Sequence, residues 1–143
     1  YRQTMFAEFE KIAHELYAKG EPLTPEGLCD IYRQLNADYF GEDMIIDEEI
    51  ALEWMRIPHF YSEFYVYQYA TGFAAAIALS NRILNEGAPA VEDYINFLKG
   101  GCSDTPIELL KIAGVDMTSS QPVEDALKLF DKLVDELEGL LLK

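Results

Sequence analysis

The chain has 143 residues, half of them hydrophobic, with 26 Asp plus Glu against 11 Lys plus Arg and a formal charge of −15. That length and apolar content suffice for a buried core and argue against disorder. The charge excludes nucleic acid phosphates and anionic membrane surfaces as partners. The acid is dispersed in short groups such as Glu42-Asp43, Asp47-Glu48-Glu49 and Asp135-Glu136, which read as solvated helix faces. No Asp/Asn-rich loop of the EF-hand type is present to hold calcium. The longest apolar stretch, residues 70–79, carries Thr71 and Gly72. It is far short of the roughly 18 to 20 residues that a membrane span needs.

Helical signals dominate along the chain, and strand signals are nearly absent. Met5, Phe9, Ile12 and Leu16, joined by Phe6, Ala13 and Tyr17, repeat at helical spacing up to a stop at Gly20. Thr24-Pro25 reads as a cap plus first helical residue, opening a helix with Leu28, Ile31, Tyr32 and Leu35 on one face. That helix is expected to fray near Phe40-Gly41. Residues 47–55 form a short helix ended by Ile57-Pro58, because a residue before proline is pushed out of the helical region.

The next helix is the longest, capped by Ser62 and running through Tyr65, Tyr69, Phe73 and Ala76 to Leu84, with a stop at Gly87. Residues 89–98 give another helix, closed by Gly100-Gly101. Thr105-Pro106-Ile107-Glu108 is a capping box with proline at the first helical position, and Gly114 ends that helix. The last begins near Pro122 and carries Ala126, Leu127, Phe130, Leu133, Val134, Leu137 and Leu140-Leu141 on its apolar side. The expectation is an all-α fold, a compact bundle of about seven helices in a single domain over residues 1–143.

Most familiar chemistries fail on the residues. His14-Glu15-Leu16-Tyr17-Ala18 begins like a His-Glu-x-x-His zinc helix but has Ala where the second His must stand. Neither His14 nor His59 has a Glu three residues before it, so a di-iron Glu-x-x-His pair is absent. There is no Gly-rich phosphate loop and no nucleophile elbow. The two cysteines, Cys29 and Cys102, are far apart and in no metal-type spacing. Reduced thiols and a cytoplasmic location are expected from them. No metal ligand set is assigned to this chain. Tyr1 opens the chain without a Met, in what reads as mid-helix, so an upstream portion is expected.

One stretch stands apart. Between His59 and Gly72, Tyr61, Tyr65, Tyr67 and Tyr69 are interleaved with Ser62, Glu63 and Gln68. If the segment is helical from Ser62, Tyr65 and Tyr69 share one stripe with Tyr61 leading into it, and Phe60, Phe64, Tyr67 and Thr71 line a second. Below them Gly72, Ala74, Ala75, Ala76 and Ala78 would let a neighbouring helix approach closely. An aromatic stripe at helical spacing is usually core, but a pure core would use Phe and Leu. Tyrosine hydroxyls are neutral donors at pH 7, able to stabilise an oxyanion without carrying charge, and a nearby histidine can donate or position water.

His59-Phe60-Tyr61, followed by Phe64-Tyr65-Val66-Tyr67-Gln68-Tyr69-Ala70-Thr71-Gly72, resembles the signature near the C-terminus of oligoendopeptidase F, among the thimet-oligopeptidase-like zinc metallopeptidases. The opening residues from Tyr1 to Glu10, the run Leu23-Thr24-Pro25-Glu26-Gly27-Leu28 and the turn from Gly100-Gly101 to Pro106 are similar to that family too. The resemblance implies part of a larger helical zincin catalytic domain that hydrolyses short peptides in a channel. Zinc would be bound by an upstream part of the same protein, and none by this chain alone, which is expected to be inactive by itself.

It further implies that His59 hydrogen-bonds the substrate backbone, with Tyr61, Tyr65 and Tyr69 also contacting substrate. Tyr67 is the first candidate for the oxyanion donor, with Tyr61 or Tyr65 as alternates. A piece of a larger domain is expected to expose an apolar face, through which it would dimerise. A free-standing helical interaction module and an inactive relative of the peptidase are the competing readings.

Overall fold

The structure, a computed structural model, describes residues 1–142. Among them are six α-helices and two 3₁₀-helices, with no strand. The helices are α1 (Arg2–Ala18), α2 (Pro25–Phe40), α3 (Tyr67–Glu86), α4 (Ala88–Gly100), α5 (Pro106–Ile112) and α6 (Gln121–Leu141). The 3₁₀-helices, Glu49–Arg56 and Pro58–Tyr61, lie between α2 and α3. The chain divides into one unit over Tyr1–Ala70 and a second that begins at Thr71.

In the first unit, the apolar stripe of α1 makes the core as its spacing predicts, but only at its N-terminal end. Met5, Phe6 and Phe9 are buried with Tyr32 and Leu35 of α2, Ile57 and Val66. Tyr17, at the far end of the stripe, is exposed. The rings of Phe9 meet Tyr32 at 5.3 Å, Trp54 at 6.0 Å and Phe60 at 5.4 Å between centroids. One side chain of α1 thus touches α2 and both 3₁₀-helices, and each such pair contributes about 0.5–1.5 kcal/mol beyond burial. Helix α2 starts where Thr24-Pro25 predicts, the Thr24 hydroxyl accepting from the Gly27 N–H at 3.1 Å.

The segment expected as a short helix over 47–55 is a 3₁₀-helix, and burial explains the tighter winding. Ala51, Trp54 and Ile57, and likewise Ile50 and Glu53, are buried or half-buried at intervals of three. Three residues per turn aligns such positions, whereas the α-helix would splay them. Glu53 is the charged group of this core. It accepts from Tyr32 Oη at 2.8 Å and from Arg2 at 2.5 Å, and it pairs with Arg56. Burial pushes the Glu53 carboxyl up, but the hydrogen bonds from Arg2 and Tyr32 and the two arginine charges outweigh it and hold the group below the usual carboxylate range. Burial first, then the bond to Glu53, raises Tyr32 well above an ordinary phenol.

In the second unit the buried apolar side chains are mostly small, Ala74, Ala75, Ala90, Ala113 and Val115, joined by Ile77 and Leu109. The expectation that the small residues of α3 admit a close neighbouring helix is not met along the stripe: Ala74 and Ala75 are buried but Ala76 is exposed, and nothing lies within 4 Å of where a Gly72 Cβ would stand. The Arg82 guanidinium of α3 staples this unit, donating to Glu86 at 3.0 Å, to Asp93 of α4 at 2.7 Å and to the Ala113 carbonyl at 2.6 Å. Gly114 has φ +75° and lies directly against that guanidinium. The capping box at α5 is half made. Thr105 accepts from the Glu108 N–H, but the Thr105 N–H goes to Asp104 and Glu108 pairs with Lys111. On α6, Leu127, Phe130, Leu133, Val134, Leu137, Leu140 and Leu141 are 44 to 75% exposed, so most of its apolar face is open.

Two stability predictions follow from these contacts. Because Glu53 is lowered in the folded chain, its contribution is complete above the unfolded carboxyl value of about 4.3 and fades as pH falls through the lowered one. Urea unfolding followed by Trp54 fluorescence should therefore show Glu53→Gln less stable than the parent at pH 7, the gap narrowing steadily below about pH 4. Gly114→Ala places a Cβ on the Arg82 guanidinium in a left-handed conformation and should cost about 2 kcal/mol or more by thermal unfolding.

Candidate functional site

The tyrosine-rich stretch is folded differently from a continuous helix. Pro58 opens the 3₁₀-helix Pro58–Tyr61, whose short turn separates its side chains. Phe60 goes to the core, against Phe6 at 6.0 Å and Phe9 at 5.4 Å, while His59 stays half-buried and Tyr61 is 89% exposed. Helix α3 then begins at Tyr67, not near Ser62 as the sequence suggests. Between the two helices the chain turns at Phe64, which has φ +50° and whose N–H donates to Glu10 Oε1 at 2.8 Å. Val66 is wholly buried, and Tyr65 beside it is turned to the surface.

This turn brings three of the five candidate residues together. The His59 ring stacks on Tyr65 at 6.1 Å with an interplanar angle of 10°, and meets Tyr69 edge-on at 5.2 Å. Tyr65 and Tyr69 cross at 5.6 Å and 85°. The Tyr69 hydroxyl donates to the Tyr65 hydroxyl at 3.2 Å. The pairing of Tyr65 with Tyr69 is the stripe expected from their spacing, kept although only Tyr69 is on the helix.

The second expected stripe is divided. Phe60 packs in the core, whereas Phe64 and Tyr67 line a cavity of about 410 Å³ with Thr4, Glu8, Lys11 and Tyr39. Tyr61 edges a different cavity, of about 260 Å³, lined by Phe9, His14, Trp54, Met55 and Phe60. His14 packs its ring on Phe64 at 4.5 Å and lies 3.9 Å from Glu63. Glu10, which shapes the site, is missed by the sequence, which places Phe64 only on the second aromatic stripe. A glutamate within the apolar stripe of α1, between Phe9 and Ile12, was the available signal.

Chemically, the cluster offers phenol and imidazole groups at a half-exposed surface. Because the Tyr65 oxygen accepts from Tyr69, the Tyr65 proton is left to donate elsewhere. The bond to Tyr65, helped by partial burial, raises Tyr69 above an ordinary phenol, so it holds its proton through neutral pH. Among the described residues no three His, Cys, Asp or Glu side chains come together to hold a metal ion, and no helix is long and apolar enough to cross a membrane. Cys29 and Cys102 are both free thiols.

The model of peptidase family M3 matches residues 1–129. The chain is 61% identical over 143 residues to Oligopeptidase PepF of Bacillus subtilis, covering 100% of this chain and 21% of that protein. It is 48% identical over 140 residues to the Oligoendopeptidase F homolog of Borreliella burgdorferi, covering 98% and 24%. Among solved structures, oligoendopeptidase-F from Enterococcus faecium superposes with a TM-score of 0.93 at 52% identity, over 98% of this chain and 27% of that one. The chain therefore spans only about a quarter of the length of the relatives it matches.

The Tyr69 to Tyr65 bond makes a spectroscopic prediction. Deprotonating Tyr69 destroys its donation, so removing the acceptor should let it ionise more easily. With ring-labelled tyrosine, NMR titration of Tyr65→Phe should show the Tyr69 signal titrating at lower pH than in the parent chain.

Proposed function

Because this chain belongs to peptidase family M3, we propose that it is the part of a zinc endopeptidase that presents hydrogen-bond donors to a peptide, with the metal held elsewhere in the longer protein. The residues here do not fit a zinc site: His14 packs on Phe64 and His59 on two tyrosines, and neither is joined by two further ligands. Zinc when bound supplies an activated water and a polarised carbonyl; no residue of this chain is assigned to that part.

The observation that carries the reading is the His59–Tyr65–Tyr69 cluster. A tetrahedral adduct of a peptide carbonyl develops an oxyanion, and a pre-aimed neutral donor stabilises it without the cost of burying a second charge. Tyr65 suits that role, since its oxygen accepts from Tyr69 and its own proton is left to donate. Tyr69 is the orienting partner, and His59 fixes both rings while offering an imidazole to the substrate backbone. Tyr67, the first candidate on sequence, lies on the Phe64 and Tyr39 cavity and is the alternative donor.

Substrates are short peptides, by the relatives' names as oligopeptidases and oligoendopeptidases. The open apolar face of α6 supports packing against the rest of the longer protein, because seven half-exposed apolar side chains on one helix are costly to leave in water. If the face remains open in the isolated chain, a second copy is the expected occupant, and sedimentation should then report a concentration-dependent dimer.

In the longer protein, Tyr65→Phe should lower kcat for peptide hydrolysis by about 10²–10³-fold with KM little changed. Tyr69→Phe should cost less, since it only releases the orienting bond. An unchanged kcat in Tyr65→Phe, with the loss appearing in Tyr67→Phe, moves the donor role to Tyr67; no loss in either overturns the reading. The isolated chain supplied with zinc should cleave no peptide, and zinc-dependent turnover by it would contradict the assignment of the metal to other residues.

A further inference from the structure

The placement of the cluster depends on one conformation that an L residue adopts reluctantly. Among the described residues Phe64 is the only one other than glycine with positive φ. A side chain at φ +50° crowds the neighbouring carbonyl, a cost that glycine avoids. Something must therefore hold Phe64 there. Glu10, on α1, is 6% exposed, and its Oε1 accepts from the Phe64 N–H at 2.8 Å. A carboxylate at that depth is itself expensive without hydrogen bonds. The strained amide satisfies one oxygen of the buried acid, and the buried acid secures the strained amide.

One turn further along α1, His14 lies under the Phe64 ring at 4.5 Å. Helix α1 thus grips residue 64 at both backbone and ring. The consequence appears in the next two residues, where Val66 is fully buried in the aromatic core and Tyr65 arrives against His59. A right-handed Phe64 would redirect the chain between His59 and Tyr65, so these two could not meet while Val66 fills the core.

We infer that Glu10 is a positioning residue for the His59–Tyr65–Tyr69 cluster, its carboxylate clamping Phe64 in the left-handed turn that carries Tyr65 onto His59. The effect on turnover rests on the reading of that cluster as the donor to substrate. The effect on geometry does not, and the test separates them.

The longer protein, with histidine rings isotopically labelled, is examined by NMR and by peptide hydrolysis in Glu10→Ala, Glu10→Gln, Phe64→Gly and the double variant Glu10→Ala/Phe64→Gly, with Tyr65→Phe as reference. In Glu10→Ala the His59 signal should move as it does in Tyr65→Phe, since the stacked ring is withdrawn. Its kcat should fall about tenfold or more, with KM little changed. Glu10→Gln keeps an acceptor oxygen and should stay close to the parent in both readouts. Adding Phe64→Gly to Glu10→Ala should restore both, because glycine enters the left-handed turn without the strain that the clamp offsets.

An unmoved His59 signal in Glu10→Ala, or a loss that Phe64→Gly does not recover, overturns the inference. If Glu10→Ala fails to fold, the double variant decides in the same way. Recovery of folding and of the His59 signal supports the clamp, and failure of both refutes it. If the signal moves and is restored while kcat is indifferent even to Tyr65→Phe, the clamp stands and the catalytic reading of the cluster falls.

Discussion

The ring of Phe9 is the point on which the first unit depends. It is buried on α1 and touches Tyr32 of α2, Trp54 of one 3₁₀-helix and Phe60 of the other. Neither 3₁₀-helix has the length or hydrogen-bond geometry to persist alone. Each is held because one of its aromatic residues completes the packing around Phe9. His59 is next to Phe60 in sequence, so fixing Phe60 in the core fixes His59 at the surface one residue away. His59 is thereby located by a packing interaction in which it takes no part.

Polar groups add direction to that apolar scaffold. Glu53 ties Arg2 of α1, Tyr32 of α2 and Arg56 of its own 3₁₀-helix to one carboxylate. Breaking such a buried arrangement by removing one partner strands the others, so it specifies geometry more than it adds stability. Glu10 acts on a smaller scale, joining α1 to the Phe64 amide. Both acids lie on or against the aromatic core, where a misplaced backbone would leave a charge unsatisfied. The second unit uses the same logic with a cation: Arg82 gathers Glu86, Asp93 and the Ala113 carbonyl in a unit whose buried side chains are mostly small.

This organisation leaves two surfaces open. Tyr65, Tyr69 and His59 are half-exposed. The apolar face of α6 is likewise open over most of its length. Both are surfaces of a kind that a larger assembly covers, in keeping with a chain about a quarter as long as its relatives.

Local rules settled much in advance. Thr24-Pro25 starts α2 because the hydroxyl cap and the preset proline φ act within one turn, and the glycines at 20, 41, 87, 101 and 114 end helices because only they accept positive φ cheaply. The all-α character and the family were legible for the same reason, since residue types at short spacing carry them. The non-helical turn at Phe64 was not legible. Propensity favours extending α3 back to Ser62, and what prevents it is a carboxylate 54 residues away on α1 together with the burial of Val66. The 3₁₀ winding of Glu49–Arg56 has a similar origin, in a burial period of three imposed by the core. Which tyrosines share a surface with His59 was decided at that level as well, because a single left-handed residue redirects every side chain after it, and its cost is met only by contacts between segments distant in sequence.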